Sequence, residues 1–242
     1  MSTCRLERDG DVFVLTLTDG ENRFDPDTVA AIDAALDEVE ASTGAAALVT
    51  TGEGKYFSNG LALEWMLRGP DEGDVERPAR TLEAVYALLA RVLAFPVPTV
   101  AAVNGHWFGA GALLGLVHDR RVVRADRGWF CMPEAVLGVG IALPLLEVLR
   151  ATLPLPAFRE LCVTSGRVTG AEGVVRGFVE EVAPEAEVVA RSVAWAATQA
   201  HLSRSALVDI KSLQYAATLA VLRGETPGSR DHRPVGGDGI PR

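Results

Sequence analysis

PTVAAVNGHWFGAGALLGLVHDRRVVRADRGWFCMPEAVLG, residues 98–138, carries the reading of the chain. An apolar run, TVAAV at 99–103, has strand character and stops at Asn104-Gly105. A glycine-rich turn, FGAG at 108–111, opens an apolar helical segment. A single carboxylate, Glu134, follows inside an otherwise apolar stretch. Backbone N–H groups at a helix start have no partner within the helix and stabilise negative charge. A carboxylate among apolar neighbours is a candidate proton shuttle, because burial raises its proton affinity. Together the two point to chemistry on a carbonyl compound that passes through an enolate.

Outward from this stretch the pattern is α/β. Residues 11–18, DVFVLTLT, alternate and are rich in β-branched side chains, which predicts a strand. The preceding residues pair with it as a hairpin through Asp9-Gly10. Asp25-Pro26 is a helix cap followed by proline at the first helical position, and apolar residues recur at helical spacing over 29–41. AAALVTTG at 45–52 reads as a buried strand, and strand–helix–strand implies parallel pairing with a right-handed crossover. GEGKYFSNG at 52–60 reads as a loop, 61–69 as the opening of a short helix, and the acidic 70–78 as exposed. An amphipathic helix at 79–95, a strand at 99–103, a helix at 109–117 and a strand at 120–125 continue the alternation.

Beyond Glu134 the pattern turns helical, at 144–153, 156–165, 169–176, 185–200 and 203–222, with Thr169 as a cap and Gly177 as a stop. Residues 224–242 are rich in glycine, proline and charge and are expected to be disordered. The expected organisation is a core at 1–184, a helical region at 185–223 and the tail.

With 242 residues, 48% hydrophobic and 23% charged, the chain suits one domain with a sizeable core. A net charge of −9, without a basic stripe carrying interleaved aromatics, argues against nucleic acid as a partner. Cys4, Cys131 and Cys162 are far apart and outside any metal-ligand spacing, as in a cytosolic protein with reduced thiols. The N-terminal residues lack an apolar signal core, no apolar run reaches about 18 residues, and the last residues form no peroxisomal address. A cytoplasmic location without a membrane partner is expected. G-x-S-x-G, G-x-G-x-x-G and the Walker A pattern are absent, so nucleophilic hydrolysis, hydride transfer and nucleotide hydrolysis have no motif support.

SNGL at 58–61 and GAG at 109–111 each follow a predicted strand of one sheet, and ligands of open α/β sheets sit at strand carboxyl ends. Two N–H groups converging from such loops make an oxyanion hole, and small residues there let a ligand oxygen approach. Each donor contributes about 2.7–4 kcal/mol to the transition state. The bland alternative is a pair of tight turns. Glu134 has two readings as well: a buried acid, or an exposed glutamate favoured by the dipole at a helix start. His106 and His118 read as structural.

FSNGLAL (57–63), PTVAAVNGHWFGAGALLGLVHD (98–119), FCMPEAVLG (130–138) and VTGAEGVVRGFVEEV (168–182), in this order and spacing, resemble the crotonase, or enoyl-CoA hydratase/isomerase, superfamily. The resemblance covers roughly the first 200 residues. It implies a spiral of repeated ββα units, with C-terminal helices driving assembly into a homotrimer or hexamer. It implies an acyl-CoA thioester as substrate, with no cofactor and no metal. By position, Leu61 and Ala110 donate the two oxyanion N–H groups. Lys55, Phe57, Ser58, Asn59 and Gly60 lie near the adenine and phosphates of CoA. Lys211, on the late helix, either reaches a CoA phosphate or is simply solvated.

One departure narrows the reaction. Typical hydratases carry a glutamate in the helix after the glycine turn and a second in the later Pro-Glu motif. Here the first position is Leu113 and only Glu134 remains. Hydration needs water held between two acid/base groups, whereas one carboxylate facing an apolar wall can move a proton between two carbons. The motifs look most like the Δ3,Δ2-enoyl-CoA isomerase branch, which acts in fatty acid β-oxidation. The implied reaction has Glu134 take a C2 proton from a 3-enoyl-CoA and return it at C4. Leu61, Ala110 and the helix opening at Gly109 hold the dienolate oxygen. Burial is expected to raise the Glu134 carboxyl above the ordinary glutamate range, which strengthens the base. Leu113, Phe108, Trp65 and Met66 are expected to form the apolar wall. The alternatives are another crotonase activity, namely hydratase, thioester hydrolase or decarboxylase, and a non-catalytic acyl-CoA-binding subunit.

Overall fold

After an N-terminal hairpin that stays in one sheet, strands come in pairs, and each pair sends one strand to each of two sheets. The computed structural model describes residues 3–66 and 76–227. After the edge hairpin β1 (Cys4–Asp9) and β2 (Val12–Leu17) come helix α1 (Pro26–Ala41) and the first pair, β3 (Ala47–Gly52) and β4 (Tyr56–Ser58). Helices α2 (Leu63–Met66) and α3 (Arg77–Leu93) follow. The second pair is β5 (Thr99–Val103) and β6 (His106–Phe108), closed by α4 (Ala110–Leu116). The third is β7 (Arg120–Arg124) and β8 (Trp129–Cys131), closed by α5 (Glu134–Leu137). Then come α6 (Leu143–Thr152), α7 (Leu155–Thr164), β9 (Val168–Thr169), α8 (Gly170–Val175) and β10 (Glu181–Ala183). Helices α9 (Val188–Gln199), α10 (Arg204–Gln214) and α11 (Ala216–Leu222) end the described chain.

The large sheet runs β1-β2-β3-β5-β7-β10 and is parallel apart from the β1–β2 hairpin. The small sheet runs β4-β6-β8-β9, with only β9 antiparallel. This is the expected crotonase-like spiral. The central strands read as continuous apolar runs because both faces of the large sheet are covered. Leu48, Ala101 and Val123 pack against the helices of one side, while Val49, Val100 and Val122 meet Val188 and Ala196 of α9 on the other. Each such fully buried valine or leucine contributes about 1.5–3 kcal/mol.

Local signals place the ends of elements. Asp25 accepts the Thr28 N–H at 2.8 Å, with Pro26 opening α1, and Gly10 turns the hairpin at φ +60°. Thr169 and Glu172 form a reciprocal capping box on α8. His118 is structural as expected: Nδ1–H donates to the Leu114 carbonyl at 2.7 Å and Nε2 accepts from Thr50 at 2.9 Å. Complete burial lowers its pKa to about 4, so the ring stays neutral.

Three expectations change. The loop expected at 52–60 contains β4, whose three residues are too few to show a period. The helix expected at 203–222 breaks at Tyr215, where φ −109° and ψ 20° end α10. Residues 76–78 of the acidic segment open α3, and Gly224 and Glu225 cap α11 by donating to Val221 and Ala220. The rest of both segments, 70–75 and 228–242, lies outside the described residues. Among the described residues no helix is long and apolar enough to cross a membrane.

Candidate active site

The two donor loops meet backbone to backbone. A Cβ on Gly60 would lie 2.7 Å from the Phe108 carbonyl oxygen and 3.1 Å from the Ala110 nitrogen. A Cβ on Gly111 would run into the Ser58 carbonyl. Gly60 also sits at φ +78°, where a side chain is strained. Leu61 is bracketed by the bonds Phe24 N–H to Gly60 O, 2.7 Å, and Ala62 N–H to Phe24 O, 3.0 Å. These leave the Leu61 N–H without an acceptor among the described residues. The Ala110 N–H is unspent too, because the first bond of α4 runs from Leu113 to Gly109 at 3.1 Å.

Glu134 stands beside these donors. A Cβ on Gly109 would lie 3.8 Å from its Oε1. Gly109 takes φ 51°, ψ −125°, a conformation that favours glycine, and the acid lies within van der Waals reach of its Cβ position. The Glu134 Oε2 is buried without a hydrogen-bond partner. Burial raises its carboxyl above the usual range, as desolvation does for any charge that lacks a counter-ion. The thiols of Cys131 and Cys162 are raised as well, first by burial and then by the charge of Glu134.

The stretch 55–60 divides by burial. Lys55 is exposed, with Nζ 5.1 Å from the Tyr56 ring centre. Phe57 is fully buried beneath α4 and Trp107, so it is a core residue and does not line a ligand surface. Ser58 is fully buried too. Its hydroxyl donates to the Asn22 carbonyl at 2.6 Å and accepts the Gly60 N–H at 3.2 Å, which braces the donor loop. The Asn59 side chain donates to Glu21 at 2.9 Å. Leu113 lies one turn into α4 and is fully buried. Phe108 stacks on His106 at 5.3 Å between ring centres, and Trp65 carries the Arg77 guanidinium 5.0 Å above its ring. Two surface cavities, of about 530 Å³ beside Arg91 and about 400 Å³ beside Asn104, are not lined by Glu134, Leu61 or Ala110.

Lys211 is a correction. It is buried and far from solvent. Nζ donates to the Phe95 and Val97 carbonyls, both at 3.1 Å, and to Asp119 at 2.6 Å. All three N–H groups are spent, so none is left for a phosphate. Asp119 also accepts from the Thr99 N–H at 2.8 Å, which ties α10 to the start of β5. Lys211→Met is expected to destabilise the fold by roughly 3 kcal/mol, since it strands a half-buried carboxylate. KM for a thioester is expected to stay at the wild-type value. Denaturant titration and initial-rate kinetics check the two halves.

Two supporting residues carry no motif. Asn22, fully buried at φ 52°, donates from Nδ2 to the Tyr56 and Phe57 carbonyls at 3.0 and 3.2 Å and accepts the Asp19 N–H at 2.9 Å. Asn104 accepts the Gly52 N–H at 3.0 Å and donates to the Gly54 carbonyl at 3.1 Å. Both hold the 52–61 stretch, and the only local hint was Asn104-Gly105 at a strand end.

The enoyl-CoA hydratase/isomerase family profile matches residues 7–225. Two relatives from Arabidopsis thaliana are enoyl-CoA delta isomerase 2, peroxisomal, and enoyl-CoA delta isomerase 3. They are 40% identical over 196 residues and 37% over 187. The alignments cover 78% and 74% of this chain, and 82% and 76% of the relatives. Among solved structures, an apo enoyl-CoA isomerase from Mycobacterium tuberculosis superposes with a TM-score of 0.85 at 27% identity, over 96% of this chain and 99% of that one. Because the likeness runs through nearly the whole length, in sequence and in fold, the chain belongs to the enoyl-CoA hydratase/isomerase family of enzymes, the crotonase superfamily.

Proposed function

We propose that this enzyme moves the double bond of a 3-enoyl-CoA to C2. The observation that carries the reading is the half-buried carboxyl of Glu134, whose Oε2 is buried without a hydrogen-bond partner among the described residues, beside the Gly109-Ala110 turn. The Glu134 carboxylate removes a proton from C2, and the electron pair enters the thioester carbonyl. The resulting dienolate oxygen accepts from the N–H groups of Leu61 and Ala110. The protonated Glu134 then returns the proton at C4 as the carbonyl re-forms. Atoms and charge balance within substrate and enzyme, so the step needs no cofactor. The buried Leu113 offers no second acid to hold a water, which disfavours hydration. Relatives named as delta isomerases support the same choice.

The test incubates the enzyme with 3-hexenoyl-CoA and with crotonyl-CoA, and follows double-bond migration, hydration and thiol release. Migration alone is expected. Hydration without migration overturns the reading, and binding without turnover favours a binding subunit.

The 1–184 core with its 185–223 helical region is read as assembling into a homotrimer or hexamer. The exposed Val136, Leu137, Ile210 and Leu213 support that reading, and light scattering measures it. The proposed compartment is the cytoplasm. The support is that none of the three cysteines forms a disulfide, although two of the plant relatives carry peroxisomal names.

A further inference from the structure

We propose that Ser165 is the positioning residue for Glu134, tied to the chain on both sides of the acid. Ser165 ends α7 and is buried in the left-handed region, at φ 50°, ψ 33°. Only it and Asn22 do so among the described non-glycine residues. A side chain is disfavoured in that conformation and a glycine is not, so the surroundings must hold it there. The two hydrogen bonds it accepts bracket the acid. Its carbonyl accepts from the Cys131 Sγ at 3.3 Å, three residues before Glu134. Its Oγ accepts the Val136 N–H at 3.4 Å, two residues after.

The second contact matters because, within the chain, α5 packs chiefly on α7, the helix that Ser165 ends. Pro133 gives it no side-chain cap, and its residues after Glu134 are exposed. The backbone bonds of Leu137, Gly138 and Val139 all return to residues 133–135. Val136 N–H is one of the donors that a one-turn helix leaves unspent, and Ser165 takes it from another element. Without Oγ, α5 can pivot about Pro133 and carry the Glu134 carboxyl toward water. The titratable groups around Glu134 are Cys131 on β8 and Cys162 on α7, with Arg167 acting on Cys131.

The inference rests on the proton-shuttle reading, and Ser165→Gly tests it. Glycine is at home at this φ, so the variant is expected to melt at or above the wild-type temperature. Its kcat is expected to fall roughly 10–100-fold, the effect of a small misplacement of a reacting group, with KM nearly constant. The acid limb of the kcat/KM profile moves down toward an ordinary carboxylate. Carbon-13 NMR titration of the Glu134 carboxyl, assigned with Glu134→Gln, reads the same move without turnover. It therefore decides the role of Ser165 even if the wild-type enzyme isomerises nothing. Wild-type kcat with an unchanged Glu134 titration overturns the proposal. A loss of kcat that only follows a loss of folded protein overturns it too.

Discussion

Glu134→Gln is expected to lower kcat for double-bond migration by roughly 10²–10⁴-fold, toward the upper end because one group both removes and returns the proton. The amide keeps the size of the side chain and the neighbours at Gly109 and Cys131, so CoA thioester affinity is expected to hold. Initial rates with 3-hexenoyl-CoA and a calorimetric binding curve separate the two; turnover within about tenfold of wild type removes Glu134 as the base. The wild-type rate itself has a pH signature. The base works ionised, so kcat/KM rises with pH through a pKa above the usual 4.5 of a glutamate, because burial disfavours the charge.

The same shift has a stability consequence with an unusual sign. A carboxyl whose pKa is raised on folding binds its proton more tightly in the native state. Its contribution is therefore most favourable below the unfolded value and is lost as pH climbs through the raised native one. At neutral pH the ionised Glu134 costs stability, because desolvation disfavours the charge more than its backbone hydrogen bond favours it. Glu134→Gln is thus expected to be more stable than wild type near pH 7.5, with the gap closing toward pH 4. Guanidinium titrations at the two pH values measure it. A dead but stabilised variant is what a stability–function trade-off at this residue predicts.

Gly60→Ala is expected to disable the enzyme through its backbone alone. The added methyl meets two penalties: a left-handed conformation at φ 78° that costs alanine about 1–2 kcal/mol, and an approach of 2.7 Å to the Phe108 carbonyl oxygen. The obstacle is main chain, which cannot rotate away as a side chain would. The 58–61 and 109–111 loops must separate, and the proposed pairing of the Leu61 and Ala110 N–H groups on one oxygen is lost. Losing one such donor lowers kcat by about 10²–10³-fold. Gly44→Ala is the control: φ is 82°, but nothing lies within 4 Å of the new methyl. It is expected to pay only the conformational cost, about 1–2 kcal/mol, and to keep its activity. Similar rates in the two variants sink the claim that loop contact governs catalysis.

What the sequence disclosed and what it hid follow from the range of the forces involved. The Asp25-Pro26 helix start, the Asp9-Gly10 hairpin and the Thr169 capping box are legible because each is settled by neighbours a few residues away. The strands of the large sheet are legible because burial on both faces writes a continuous apolar run. The small sheet has strands of two or three residues, and no period fits in so few. Glu134, Leu61 and Ala110 were singled out through ordered motifs, and the structure brings the loops that carry them close together. Asn22 and Ser165 were missed because their partners lie 34 and 29 residues away and their left-handed conformation leaves no mark in composition. Lys211 was misread for the same reason: its partners at 95, 97 and 119 are remote, and a lysine looks solvent-bound until they are known.

That remote anchor bears on how the protein is born. The ammonium on α10 fastens to carbonyls 116 and 114 residues upstream. During synthesis those oxygens and Asp119 emerge from the ribosome long before their cation does. The two-sheet body therefore stays unlocked until α10 has been made, and molecular chaperones meet a nascent chain whose clasp arrives after the sheets it fastens.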